Sequence, residues 1–361
     1  MRFHPKTKRL AALGLLALLG ALLLSACGQG PENTANVLLP KGPIALQESD
    51  LTWIIFGICA VVWVFVTGWL VISIIRFRAR PGLPPARQTP GNTRIEIAWT
   101  IAPSIVLFVV LGVTISTMFA VASPPQPTTL TVVAVGHQWW WEFDYPKQPG
   151  IDTPFVTADE MHIPVGAYVH IELYSNNVIH SFWVPELGGK TDVIPGHINT
   201  MWLKGDAIGD YRGACAEYCG AQHAHMDYIV KVTSASDFQT WAATQQQPAA
   251  TPSTAAETAG QKVFTSVGCS GCHVITGVNA QPGGAVPPLI GPNLTHFGSR
   301  GQIAGAVLTN DTANLTNWIL HAQQVKPAVD MPSFDGSYGP TYPALSPSQV
   351  SDLVAYLQSL Q

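Results

Sequence analysis

Two long uncharged apolar runs, Leu51 to Ile75 and Ile97 to Ala122, limit what this chain can become. Each is long enough to cross the ~30 Å hydrocarbon layer of a bilayer as a helix. The segment between them holds Arg76, Arg78, Arg80, Arg87 and Arg94 against a single acid, Glu96, at its last position. Positive charge marks the cytoplasmic side, so this loop lies inside, and the segments before and after the pair lie outside. A pair of buried core helices would not need so one-sided a loop. Neither run contains a histidine, so the hairpin has no imidazole for a metal group and reads as an anchor against a larger partner.

The N-terminal segment agrees with that topology. Arg2, Lys6, Lys8 and Arg9 precede the short apolar stretch Leu10 to Leu24, so residues 1–27 read as an export signal. The ending Leu24-Ser25-Ala26-Cys27 resembles a lipobox, which predicts lipid on Cys27 after cleavage. A retained helix or an ordinary cleavage site is the alternative. Residues 28–50, polar and with several Gly and Pro, read as a tether. Net charge is −4, and no basic cluster with interleaved aromatics follows residue 95, which argues against nucleic acid as a partner.

From 128 to 235 the pattern turns to short β-type segments. Leu130 to Val135, Tyr168 to Leu173 and Tyr228 to Val232 are alternating or β-branched, with Gly and Pro between them. They predict a β-sandwich or barrel. A linker follows over 236–256, with its low-complexity core at Gln245 to Ala256, and residues 257–361 read as mainly helical. Ser346-Pro347 opens the last helix, with serine as N-cap and proline at the first turn.

The cysteines divide cleanly. Cys27 ends the signal, Cys59 reads as a small buried hydrophobe, and the other four fall into two short motifs, leaving no disulfide framework. The first motif is Gly213-Ala214-Cys215-Ala216-Glu217-Tyr218-Cys219-Gly220-Ala221-Gln222-His223-Ala224-His225-Met226. Two thiolates, an imidazole and a thioether form a soft donor set suited to copper, and two thiolates four positions apart could bridge two ions. His180, in Asn177-Val178-Ile179-His180-Ser181-Phe182-Trp183-Val184-Pro185, offers a second imidazole. A zinc site, a Cys215–Cys219 disulfide and a single blue-copper ion remain open on the residues alone.

These motifs, with Lys190-Thr191-Asp192-Val193-Ile194-Pro195-Gly196, Gly136-His137-Gln138-Trp139-Trp140-Trp141-Glu142-Phe143 and Glu96 to Pro103, resemble subunit II of the haem–copper cytochrome c oxidases from about residue 48 to 235. The resemblance implies a cupredoxin-like Greek-key domain. It matches His180, Cys215, Cys219, His223 and Met226 to the ligands of the dinuclear copper centre CuA, with Glu217 contributing its backbone carbonyl. It further implies a magnesium ion held by the Glu217 carboxylate together with subunit I, electron entry at Trp139, and Glu96 at the mouth of a proton path. His197 stands where the family commonly has an arginine that bridges toward haem a, a departure from the family pattern. His225 is a rival to His223 by proximity only.

The second motif, Cys269-Ser270-Gly271-Cys272-His273, is the attachment signature of a c-type haem, with two thioether cysteines and His273 as proximal iron ligand. Met331, in Asp330-Met331-Pro332, is the expected distal ligand, with His296 and His321 as rivals. Val263-Phe264 and Gly291-Pro292-Asn293-Leu294 add a resemblance to class I cytochromes c, an all-α fold. The expected whole is a two-pass bacterial cytoplasmic-membrane subunit with both redox domains outside. On the resemblance, electrons pass from an external donor, cytochrome c or quinol–cytochrome c reductase, through haem c and CuA to haem a of subunit I. Oxygen is reduced there, with proton pumping, and subunit III is a further partner. A nitric oxide reductase subunit and a metal-binding lipoprotein are the alternatives. Both redox regions carry net negative charge, so tethering rather than attraction is expected to hold them together.

Overall fold

The computed structural model describes residues 35–78, 80–82, 88–281 and 290–361. The export signal, Cys27 and Arg87 lie outside the described residues.

The apolar runs form helices α1 (Pro43–Arg76) and α2 (Thr93–Val121), which pack as a hairpin. In hydrocarbon every backbone polar group must be satisfied within the segment, which leaves helix as the answer for so long an uncharged run. Asn92 caps α2 by accepting from the Arg94 and Ile95 amides. Their large side chains are exposed along the shafts, among them Phe65, Trp69, Leu107 and Phe119. Cys59 is exposed there too, not buried as the sequence suggested, because the helix shaft around it is not covered by the rest of the chain.

Helix α1 begins earlier than the apolar run, at Pro43, so part of the expected tether is helical. Its 34 residues span about 51 Å at ~1.5 Å each, more than the hydrocarbon needs. The excess docks on the β-domain, where Ile44 and Ala45 are buried. The Lys41 amide donates to the Glu186 carbonyl at 2.6 Å, and the Asp206 amide to the Lys41 carbonyl at 2.7 Å. At the same end of the hairpin, where α2 finishes, Trp202 Nε1 donates to the Val121 carbonyl at 2.8 Å.

Residues 130–233 form two five-stranded sheets. One contains β1 (Leu130–His137), β2 (Trp140–Tyr145), β3 (Phe155–Ala158), β5 (Val169–Ser175) and β8 (Asn199–Leu203), in the order β3-β2-β1-β5-β8. The other contains β4 (Glu160–Pro164), β6 (His180–Trp183), β7 (Thr191–Val193), β9 (Gly209–Cys215) and β10 (Tyr228–Thr233), in the order β4-β10-β9-β6-β7. Burial alternates along β1 and β5, which pair in parallel with Val132 opposite Ile171. Between the sheets, Trp141, Phe143, Phe182 and Tyr228 pack ring against ring, with Phe182 and Tyr228 centroids 4.8 Å apart.

The stretch expected to be linker opens with a helix, α3 (Ala235–Gln245), capped by Ser234. Phe238 and Ala242 join the sandwich core, and Trp241 stacks on His162 at 3.9 Å. Its apolar positions, spaced three or four apart, were too few to outweigh the surrounding polar residues in the sequence pattern.

The C-terminal region forms α4 (Ala255–Ser266), α5 (Thr312–Val325) and α6 (Pro347–Ser359). Thr254 with Glu257, and Ser346 with Gln349, complete capping boxes on α4 and α6. The two helices cross where Gly260 faces α6; a Cβ there would lie 2.0 Å from the Asp352 carbonyl oxygen. A small ribbon, β11 (Gln302–Ile303) and β12 (Leu308–Thr309), departs from the purely helical expectation.

Candidate electron-transfer site

The pairing of β6 with β9 brings His180, first residue of one strand, beside Cys215, last residue of the other. The chain then loops through Glu217 and Cys219, turns at Gly220 (φ 121°), passes through a short 3-10 turn at His223–His225, and returns into β10 after Met226. Positive φ suits glycine, and a Cβ at Gly220 would sit 3.0 Å from the Trp139 ring.

This loop and His180 set four donors around two cysteine sulfurs, six donors in all. Cys215 Sγ and Cys219 Sγ are 3.8 Å apart, far beyond the ~2.05 Å of a disulfide. His180 Nδ1 lies 3.8 Å from Cys215 Sγ, and His223 Nδ1 lies 3.7 Å from Cys219 Sγ. Met226 Sδ is 3.2 Å from Cys219 Sγ, and the Glu217 carbonyl oxygen is 3.2 Å from Cys215 Sγ. Tetrahedral zinc takes four ligands; six soft and mixed donors on a two-sulfur core fit a dinuclear copper centre. His225, the rival, is exposed and bonds Gln222 Oε1 at 2.8 Å instead.

The surroundings orient the donors. Asn177 Oδ1 accepts from His180 Nε2 at 3.0 Å, which leaves Nδ1 as the lone pair facing the sulfurs. His180 is fully buried, and Cys215, Cys219 and Met226 are buried. Sharing of a thiol proton with Cys219 draws the Cys215 pKa down to about 3, and this same sharing drives that of Cys219 well above the usual thiol range.

In the helical domain, an open cleft of about 1210 Å³ is lined by Cys269, Cys272, His273 and Met331. His273 Nδ1 donates to the Pro292 carbonyl at 2.8 Å, so Nε2 is the nitrogen left for an iron. Burial lowers the His273 pKa, favouring the neutral ring a metal needs. Of the candidate distal ligands, Met331 alone lines the cleft. His296 donates to the Gln247 carbonyl at 3.1 Å, and His321 pairs with Asp335 at 3.1 Å.

Gln138, Trp139, Trp140 and Asp159 of the sandwich line this same cleft. Trp139 Nε1 donates to the Cys219 carbonyl at 3.1 Å, and Gln138 Nε2 donates to it at 2.8 Å. One residue thus lines this cleft and bonds the loop of the two-sulfur cluster. Glu96 lies elsewhere, exposed in the first turn of α2, and His197 is exposed on the turn after Ile194.

Comparisons with known proteins match each part. Residues 39–115 fit the family described as cytochrome c oxidase subunit II, transmembrane domain, residues 130–233 its periplasmic domain, and residues 257–361 cytochrome c. Cytochrome c oxidase subunit 2 of Alkalihalophilus pseudofirmus is 35% identical over 94% of this chain and 94% of its own length. The chain belongs to the cytochrome c oxidase subunit II family. The Bacillus subtilis relative of the same name is 32% identical, over 96% of this chain and 97% of its own. The solved periplasmic domain of subunit II from Bradyrhizobium japonicum is 31% identical over 34% of this chain and 96% of that one, with a TM-score of 0.31.

This subunit II therefore carries an electron-transfer role in a haem–copper oxidase complex, associates with subunit I, and has domains that bind CuA and haem c. The nitric oxide reductase and stand-alone lipoprotein readings are not favoured. Sequence reasoning missed Asn177, Asp159, Gly305 and Lys326. Each is a polar or small residue in a loop or at a helix end, a pattern shared with any solvated surface.

Proposed function

We propose that the chain carries electrons from an external donor to subunit I through two fixed sites. His180, Cys215, Glu217, Cys219, His223 and Met226 would hold the copper pair; Cys269, Cys272, His273 and Met331 would hold the haem. The observation that carries this is Trp139, which lines the haem cleft and whose indole bonds the Cys219 carbonyl at 3.1 Å. The metal groups supply one-electron carriers; the protein supplies a rigid, dry setting that keeps donor positions fixed between oxidation states. The burial of His180, Cys215, Cys219 and Met226 excludes water, and Asn177 holds the His180 ring in one tautomer.

The finer assignments follow the family resemblance. Glu217 would take part in a magnesium site with subunit I, and Glu96 would sit at a proton-path mouth of a proton-translocating complex. Exposed Ile179 and Tyr218, next in sequence to His180 and Cys219, support that face as the one toward subunit I. Residues 1–27 would direct export and Cys27 would carry lipid, with the redox domains outside the bacterial cytoplasmic membrane, the arginine loop inside, and subunit III nearby. The domain boundaries would be 51–127 for the hairpin, 128–235 for the copper domain and 257–361 for the haem domain.

Purification with subunit I, an optical spectrum, and oxygen against nitric oxide consumption test the reading. Copper and haem c signatures with oxygen consumption are expected. Consumption of nitric oxide alone, or absence of either signature, would overturn it.

A further inference from the structure

The joint between the two redox domains is built from buried polar contacts. Lys326, at the C-terminal end of α5, is 2% exposed. Its Nζ donates to the Trp139 carbonyl at 2.9 Å and to the Ala304 carbonyl at 2.9 Å. The first acceptor belongs to the copper domain and the second to the turn of the β11–β12 ribbon. Around this clamp, the Gly305 amide donates to Asp159 Oδ2 at 3.2 Å, and the Asp227 amide donates to the Gly305 carbonyl at 3.0 Å. Gln222 Nε2 donates to the Pro327 carbonyl at 2.7 Å, and the Gly301 amide to Glu160 Oε1 at 2.7 Å.

Burying an ammonium is costly, and a hydrophobe of similar volume would often stabilise the joint at least as well. The cost registers in the Lys326 pKa, which burial lowers to about 8 although the Asp159 and Asp227 charges oppose the drop. What the ammonium adds is direction: two short bonds to carbonyls of different domains, one on Trp139 itself. That tryptophan's indole is held at the opposite end by the Cys219 carbonyl. Backbone and side chain are therefore both fixed.

We propose that Lys326 is a positioning residue for electron transfer between the two domains, holding Trp139 where it lines the haem cleft and its indole bonds the Cys219 carbonyl. This rests on the functional reading above. Electronic coupling falls off steeply with separation and orientation, so a loosened Trp139 slows the internal step while both metal sites stay intact.

The test uses the holoenzyme complex with Lys326→Met, which fills the volume without the donors, and Lys326→Gln, which is read the same way if the methionine variant does not accumulate. Flash reduction of haem c measures the internal rate, and hydrogen exchange of the Gly305 and Asp227 amides reports whether the domains stay docked. A tenfold or greater fall in internal rate is expected, with both optical signatures and the protection of both amides retained. An unchanged rate would overturn the proposal. A slow rate with lost protection would also overturn it, making Lys326 a staple of the joint rather than a positioner of Trp139. Wild-type enzyme lacking either optical signature would instead sink the functional reading.

Discussion

Trp139 Nε1 donates to the Cys219 carbonyl oxygen at 3.1 Å, although the two residues are eighty positions apart. The bond ties the rim of the haem cleft to the copper loop, and the missing Cβ at Gly220 leaves room for the ring. Trp139→Phe keeps a ring but removes this bond. It should slow haem-to-copper transfer about tenfold or more while leaving the copper spectrum in place. Flash photolysis with a copper optical readout checks it, and an unaltered rate would remove Trp139 from the path.

Cys219→Ser should abolish the dinuclear copper signature and leave the haem c spectrum unchanged. A serine oxygen is a poor bridge between soft ions, and Cys219 lies within 3.8 Å of three other donor atoms, so no neighbour substitutes for it. Electron paramagnetic resonance with metal analysis decides. Concurrent loss of haem c would mean that the helical domain depends on the copper loop for its fold.

Met331→Ala should open the haem iron to added cyanide or carbon monoxide without altering copper content. An unchanged low-spin spectrum would move the distal assignment to another residue, although His296 and His321 are both engaged elsewhere.

Asp144 gives a pH dependence of definite sign. Burial, then the neighbouring Glu142 charge, raise its pKa to about 8. A raised carboxyl holds its proton in the folded state where the unfolded chain, near ~3.9, has lost it, so stability falls as pH rises toward 8. His137, whose pKa burial lowers to about 4, works oppositely below ~6.5. The window from about 6.5 to 8 is therefore the cleaner one for Asp144. Asp144→Asn should flatten that window and stabilise the chain at pH 8 by on the order of 1 kcal/mol. Urea denaturation at the two pH values measures it; an equal slope in both proteins would contradict the assignment.

Salt should have little effect on the internal transfer, for a reason the net charges did not suggest. Asp159, Glu160 and Asp227 on the copper domain face Arg300 and Lys326, so local charge is complementary despite the like net sign. Buried charges are screened far less than exposed ones, and the contacts are already made in the docked chain. Stopped-flow reduction by the external donor should vary with ionic strength, while the internal rate stays level. A steep internal loss would show that docking is transient and steered.

What the sequence determined was local or repetitive. The apolar runs are set by the length of uninterrupted hydrocarbon, and the arginine loop by charge sign. Four of the proposed side-chain copper donors fall within Cys215 to Met226, and the proposed haem attachment within Cys269 to His273, so their chemistry was legible before any fold. The start of α1 at Pro43 and the helix α3 were not, because their helicity rests on docking against the sandwich, which supplies what their few apolar residues could not signal. His180 was named through resemblance, but its place beside Cys215 is made by the β6–β9 pairing. The joint was wholly hidden. Lys326 and Trp139 are separated by 187 positions, and a lysine after a helix reads as solvated until another domain covers it. Burial and direction belong to packing, and only the tertiary structure turns that lysine from a surface charge into a clamp on Trp139.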